Sequence, residues 1–383
     1  MVSRRGFGSV RKLPSGRWQA RYRDPEGELR PAETTFATKA DADAWLATTQ
    51  HELRVGDWID PDLGERTLES WALDWMVNQL HLKPKTRASY ESLLHSRVLP
   101  ALGDVPLVDM RPSHIQAMVA RFIQEGLSPS RTRQCVMVLS QIMKAAVADG
   151  LIRANPCLAV KQPRLPKTEM RVLTSIEVER VAAEVDDRYR ILVYVLAYCG
   201  LRWGEAIALT LGDVDVTAGR IRVVRSLADV NGHLYLGSTK TYQQRSVVVP
   251  TFLRAALAEH MNQYGGQDRD DLLFTAPEGN FIRYGNFIAR QWHPALEFAG
   301  VERTGVHILR HTCASLLVSA GAPIKAIQAQ LGHSSAEMTL SRYSHLYPDD
   351  LDILAERLDS VRTAAALDRL GRNPGRDNGV GHR

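Results

Sequence analysis

Four short stretches in the second half of the 383-residue chain concentrate side chains that carry fixed charge or move protons. They read GLRWGEAIALTLGDVD from Gly200, GSTKTYQQRSVVVP from Gly237, HILRH from His307 and LGHSSAEMTLSRYSH from Leu331. Arg202 and Arg310 are forked, always-charged donors, the type suited to extra negative charge on the non-bridging oxygens of a five-coordinate phosphorus. His307 either donates a further hydrogen bond or takes a proton, and His333 offers a hydrogen bond to the same group. Tyr343 supplies an oxygen nucleophile. Its unperturbed pKa of ~10 leaves only about one phenolate per thousand at neutral pH, so it needs cations beside it. A departing alkoxide oxygen needs a proton, which Lys240 is able to give as a general acid.

Local signals place these groups. Ile324, Ile327, Ala329 and Leu331 have helical spacing that stops at Gly332, a suitable left-handed terminal residue, so His333 emerges at a helix end. Ser334 and Glu337 form an S-x-x-E capping box that opens the helix carrying Tyr343. Lys240 is expected at the tip of a β-hairpin between Gly237 and Val249. Glu205, three residues after Arg202, either holds that guanidinium by an ion pair or is an ordinary helix-surface neighbour. His307 and His311 have the spacing of a metal pair, with His333 or His345 as further ligands. HILRH lacks the glutamate of HExxH, however, and Arg310 between the histidines repels a cation, so no metal is expected. Tyr347 is a rival nucleophile, but it directly precedes Pro348, where a helix tends to end. Trp203 and Trp292 read as core aromatics.

These motifs need a scaffold, and the chain punctuates one. In residues 1–60, Trp18, Ala20 and Tyr22 alternate with Arg17, Gln19, Arg21 and Arg23, the period of a strand with one apolar and one cationic face. A strand before it and another from about Leu29 to Phe36 make a three-stranded sheet. A helix capped by Thr38 follows, with Trp45 and Leu46 on its inner face. From 66 to 160 the spacing turns helical through Leu68, Trp71, Ala72, Trp75 and Met76, then Ile115, Met118, Val119, Phe122 and Ile123, then Val136, Leu139, Ile142, Met143 and Ala146. With a helix near Thr86 to Val98 this is an all-α domain of about four helices. Residues 161–173, with Pro163 and Pro166 among Lys161, Arg164, Lys167 and Arg171, form a stiff cationic linker. A T-x-x-E box at Thr174 and Glu177 opens a mixed, mainly-α domain, 174–365. It ends in an amphipathic helix through Leu351, Leu354, Leu358 and Val361, and residues 366–383 have the composition of a disordered tail.

Charge and cysteine usage narrow the class. The net charge of +5 is modest, but from Met1 to Arg30 eight basic residues face only Asp24, Glu26 and Glu28. Such a local excess suits a polyanion. Arg11, Arg17, Arg21 and Arg23 on the sheet, Lys83, Lys85, Arg87, Arg131 and Arg133 on the helices, and Lys161 and Lys167 in the linker are candidate DNA contacts. Cys135, Cys157, Cys199 and Cys313 form no CxxC pair, which argues against a zinc ribbon or a disulfide framework and fits a reducing cytosol. The longest apolar run, Ile191 to Tyr198, is too short to cross a bilayer. There is no GxxxxGK[ST] phosphate loop, so neither ATP nor another cofactor is implied.

Arg202, Lys240, His307, Arg310, His333 and Tyr343 match, in chain order, the six catalytic positions of the tyrosine recombinase (phage integrase) family, which the chain resembles from about Thr67 to Tyr347. The N-terminal sheet looks like the arm-binding domain of a subset of phage integrases. The resemblance implies a multidomain α+β architecture: a small sheet-plus-helix domain, an all-α core-binding domain and a catalytic domain of the tyrosine recombinase type. It also implies cleavage and rejoining of double-stranded DNA through a 3′-phosphotyrosine to integrate and excise a mobile element. The implied partners are attachment core and arm sites, a homotetramer on DNA, a host DNA-bending protein and an excisionase, in a bacterial cytoplasm at the nucleoid. Two other readings are a resolvase or conjugative-element transposase of the same chemistry, and a non-catalytic DNA-binding protein, which would be expected to lack some of the six groups.

Overall fold

The computed structural model describes residues 7–56, 58, 65–166, 171–238, 244–333, 335, 359 and 362–363. Lys167, Lys240, Tyr343, His345 and Tyr347, the Ser334 and Glu337 box, and the stripe Leu351, Leu354, Leu358 and Val361 lie outside the described residues. The chain divides into two compact units, Met1–Lys167 and Thr168–Arg383.

The first unit begins with an antiparallel sheet in the order β1 (Gly8–Lys12), β2 (Trp18–Arg23), β3 (Leu29–Pro31). β2 alternates as its sequence does: Ala20 and Tyr22 are buried with Ala42 and Leu46 of helix α1 (Lys39–Val55), while Arg23 is exposed. So small a domain has little area to bury, and it relies on aromatic rings. Tyr22 lies 5.6 Å from Trp45 and 6.1 Å from Trp58, ring centre to ring centre, and its hydroxyl accepts from Trp58 Nε1 at 3.2 Å. Thr38 caps α1 by accepting the Asp41 N–H at 3.1 Å.

The third strand is shorter than the expected Leu29 to Phe36. It stops at Pro31, and the next bond beyond it is the Ala32 N–H donating to the Ala20 carbonyl at 2.9 Å. Residues 33–35 then bulge opposite Gln19, and Phe36 rejoins the sheet by exchanging two backbone hydrogen bonds with Trp18, at 2.8 and 2.7 Å.

A separate core in the same unit joins α2 (Leu68–Val77), α3 (Pro84–Leu93), α4 (Pro112–Gln124) and α5 (Pro129–Ala148). The expected inner faces pack there, except that Ile123, at the end of α4, is 42% exposed. Helix α3 continues beyond its expected end through a π segment, Leu94–Val98, and a last turn, Leu99–Leu102. Pro100 explains the widened turn, because a helical proline cannot bond the carbonyl four residues back and its ring crowds that group. The second unit repeats the device, with a π segment at Ile288–Trp292 just before Pro294.

In the second unit the Thr174 and Glu177 box opens α6 (Ser175–Glu184), with the Glu177 backbone N–H donating to Thr174 Oγ1 at 3.1 Å. α7 (Asp187–Tyr194) runs into the π segment Val195–Cys199, and the short α8 (Trp203–Ala206) follows. A three-stranded sheet, in the order β4 (Val214–Asp215), β5 (Arg220–Val223), β8 (Arg245–Val248), adjoins a ribbon of β6 (Arg225–Val230) and β7 (His233–Ser238). Helices α9 (Thr251–Tyr264), α10 (His293–Phe298), α11 (Ile308–Ser319) and α12 (Ile324–Leu331) complete the unit. Trp292 is fully buried at its centre, with Nε1 donating to the Thr304 carbonyl at 2.8 Å. Burial of a large apolar side chain of this kind stabilises by about 2–3 kcal/mol. Among the described residues no helix is long and apolar enough to cross a membrane.

The expected hairpin around Lys240 is corrected. β7 pairs with β6, and β8 pairs with β5. The ladder leaves at Arg225 and Ser238 and resumes at Val223 and Arg245, so β7 and β8 do not pair with each other. The turn at Asn231 and Gly232 joins β6 to β7, and Lys240 itself lies outside the described residues. Sequence reading missed this because the Asn231-Gly232 turn signal lies earlier in the chain than the segment singled out.

Candidate active site

Helix α12 ends in a left-handed glycine, Gly332, at φ 64°. The last carbonyls of a helix have no partner within it and form its negative end, which favours cations. Here three successive carbonyls each receive a guanidinium. Arg245 Nε donates to Gln330 at 3.3 Å, Arg310 Nη2 to Leu331 at 2.6 Å, and Arg202 Nη2 to Gly332 at 3.1 Å. The next residue is His333, which is 7% exposed. Its N–H reaches the Gln328 carbonyl at 3.1 Å, and its own carbonyl accepts from the Gln328 side chain at 3.2 Å.

Arg310 sits in the first turn of α11 and is 3% exposed. Its second donor, Nη1, meets the Gly200 carbonyl at 2.6 Å. Gly200 is itself left-handed, at φ 71°, and a Cβ there would lie 2.6 Å from Leu331 Cδ2 and 2.9 Å from Cys313 Sγ. Only glycine lets the approach to Arg202 pass this close to α11 and α12. His307 starts α11, is exposed, and stacks edge-on with His311 at 4.8 Å between ring centres. The linker end is fixed to the same helix, because the Leu173 N–H donates to the buried Thr312 hydroxyl at 2.9 Å.

Arg202 begins α8 and donates through Nη1 to Glu205 Oε1 at 2.7 Å, while its backbone N–H meets Glu205 Oε2 at 3.0 Å. The Glu205 side chain is wholly buried. A second arginine satisfies it: Arg245 donates Nη1 to Oε1 at 3.1 Å and Nη2 to Oε2 at 2.6 Å. Burial pushes the Glu205 carboxyl up. The hydrogen bond and charge of Arg245, the charge of Arg202 and the Arg202 N–H outweigh that effect and hold it at about 2. Sequence reading did not single out Arg245. A signal existed: along β8 it shares the inward face with Val247, so an arginine enters the core there and requires a buried acid.

The candidate DNA contacts scatter over the first unit. On the sheet Arg11 Nε donates to Gln19 at 2.9 Å, Arg17 Nε to Thr35 at 2.7 Å, and Arg23 Nη1 to the Gly27 carbonyl at 2.7 Å. Arg21 Nε is sealed from solvent with no hydrogen-bond partner among the described residues. Lys83 and Lys85 flank the start of α3, and Arg87 is paired with Glu91 at 2.9 Å. Arg131 Nη1 donates to Gln134 at 3.3 Å, Arg133 Nε to Gln162 at 3.1 Å, and the Lys161 N–H to Gln116 at 3.0 Å. Trp203 packs on Tyr284 and Phe287, at 5.5 and 4.8 Å between ring centres. Among the described residues no group of three or more His, Cys, Asp or Glu side chains is arranged to hold a metal ion.

Known proteins match the chain along its length. The phage integrase family profile covers residues 171–349, the phage integrase N-terminal domain 6–55, and the phage integrase central domain 68–163. The integrase of Mycobacterium phage L5 is 31% identical over 352 residues, 88% of this chain and 94% of that protein. A XerC-like tyrosine recombinase of Caldanaerobacter subterraneus is 26% identical, over 88% and 94% of the two chains. In fold, the chain is similar to the Tn1549 transposon integrase in complex with a circular intermediate DNA, with a TM-score of 0.65 at 23% identity over 76% of this chain and 99% of that one. It is also similar to a lambda integrase tetramer bound to a Holliday junction, with a TM-score of 0.57 at 20% identity over 85% and 96%. Matched in all three segments and across nearly the full length of its viral relative, the chain belongs to the tyrosine recombinase, or phage integrase, family of site-specific DNA recombinases.

Proposed function

We propose that this recombinase integrates and excises a mobile genome by cutting each DNA strand with Tyr343. The observation that carries the reading is the gathering of Arg202, Arg310 and His333 at the end of α12, ten residues before Tyr343. The phenolate oxygen of Tyr343 attacks the scissile phosphorus and forms a 3′-phosphotyrosine, while the bond from phosphorus to the 5′-oxygen breaks. Arg202 and Arg310 hold the added negative charge, with His333 donating to the same phosphate. His307 donates there too or takes the tyrosine proton, and Lys240 protonates the leaving 5′-oxygen. Attack by the 5′-hydroxyl of a second strand reverses each step. The phosphotyrosyl bond stores the energy of the broken link, so no ATP is consumed.

Residues 1–60 serve as the arm-site module, 66–160 as the core-site module, 161–173 as the linker and 174–365 as the catalytic domain. Four protomers act together on double-stranded DNA in the bacterial cytoplasm, at the nucleoid, with a host DNA-bending protein and an excisionase setting direction. The basic N-terminal sheet favours an integrase over a resolvase, because a second DNA-binding module lets one protomer bridge distant sites.

A nicked suicide substrate carrying the core site tests the chemistry. The wild type is expected to be trapped as a 3′-phosphotyrosine adduct, in chelator as well as without it, and Tyr343→Phe to abolish the adduct. An adduct that survived Tyr343→Phe but not Tyr347→Phe would assign the nucleophile to Tyr347.

A further inference from the structure

We infer that Arg245 is a positioning residue for strand cleavage, keeping Arg202 available to the scissile phosphate by taking the larger share of Glu205. The inference rests on the reading that Arg202 meets that phosphate. Arg245 grips the carboxylate with both ends of its fork, at 3.1 and 2.6 Å, whereas Arg202 gives it one side-chain donor at 2.7 Å. A guanidinium has five N–H donors. Among the described residues Arg202 spends one on Glu205 and one on the Gly332 carbonyl.

Charge gives the same answer. Arg202 with Glu205 alone is a neutral pair, and a neutral pair offers little to a phosphate dianion forming in the transition state. Arg245 restores one net positive charge to the cluster. Without it, a fully buried carboxylate would draw Arg202 into a two-pronged pair, the geometry that carboxylates prefer with arginine.

Arg245 also links the parts that must stay in register. It begins β8, paired with Val223 of β5, and its Nε bonds the Gln330 carbonyl at 3.3 Å. The Gln330 side chain in turn accepts the Val248 N–H at 2.9 Å and donates to the Val248 carbonyl at 3.0 Å. β8, the Arg202 segment and the helix end before His333 thus share one set of polar contacts.

Single-turnover cleavage of the suicide substrate by the full chain is the test, with core-site affinity measured beside it. Arg245→Met is expected to bind the core site within about threefold of wild type yet cleave roughly 100-fold more slowly, the scale of a misplaced charge stabiliser. Adding Glu205→Gln to it removes the competing carboxylate and is expected to recover at least about tenfold. Arg245→Lys, which keeps the charge, is expected to remain within about tenfold of wild type. If the methionine variant does not fold, Arg245→Gln replaces it, alone and with Glu205→Gln. An undiminished rate in the single variant, a double variant no faster than the single one, or a lysine variant as slow as the methionine one each overturns the inference. Arg202→Ala checks the underlying reading separately: undiminished cleavage there would remove the phosphate role of Arg202 itself.

Discussion

Arg202 donates through Nη2 to the carbonyl of Gly332 at 3.1 Å, joining two positions 130 residues apart. The bond needs Gly332 in its left-handed conformation, and a Cβ there would lie 2.8 Å from Arg245 Nε. Gly300, in the same unit, is also left-handed, at φ 68°, with nothing within 4 Å of an added Cβ. Gly300→Ala is therefore expected to cost only the backbone strain, about 1 kcal/mol. Gly332→Ala should cost roughly 2–3 kcal/mol, because it also displaces Arg245. Urea midpoints of the two variants check this, and equal losses would mean that the Arg245 contact is soft.

Glu205 predicts an acid limb of stability. Its carboxyl is held at about 2 in the folded chain against an ordinary 4.5, so its stabilisation is complete above 4.5 and is lost as pH falls toward 2. The difference in unfolding free energy between wild type and Glu205→Gln is expected to be flat above 4.5 and to shrink by roughly 3 kcal/mol across that acid range. Urea titrations at a series of pH values measure it. A difference independent of pH would show that the two arginines do not hold the carboxylate.

Lys240 as general acid predicts a dependence on the leaving group. Lys240→Ala should slow cleavage of a normal 5′-oxygen link far more than that of a 5′-bridging phosphorothiolate, whose sulfur leaves without needing a proton. Rates on the two substrates, compared in one series, decide between proton donation and phosphate binding. Equal slowing would assign Lys240 to binding.

The cationic face of β2 predicts an ionic-strength signature. Arg21→Gln and Arg23→Gln should each lower the salt slope of arm-site binding by about one, and leave the slope for the core site unchanged. Anisotropy titrations over a range of salt concentrations read this directly. An unaltered arm-site slope would leave that face a solvated surface.

Much of the scaffold was legible because its causes are local. The alternation from Arg17 to Arg23, the Thr38 cap, the Thr174 and Glu177 box and the stop at Gly332 are each set within a few residues by side-chain reach and backbone sterics. The order of the four chemical stretches was equally plain, since residue type alone limits which groups stabilise a phosphate or attack it. Tertiary structure decided what spacing cannot carry. Arg310 finds the carbonyls of Gly200 and Leu331, 110 and 21 residues away, and Glu205 finds Arg245 across 40. β7 takes β6 as its partner and β8 takes β5, so the two strands on either side of the Lys240 stretch do not form the expected hairpin with each other. A buried charge accepts whichever partner the packed core brings within hydrogen-bond reach, and a strand edge pairs with whichever neighbour the chain returns beside it. Neither choice is made until the core closes.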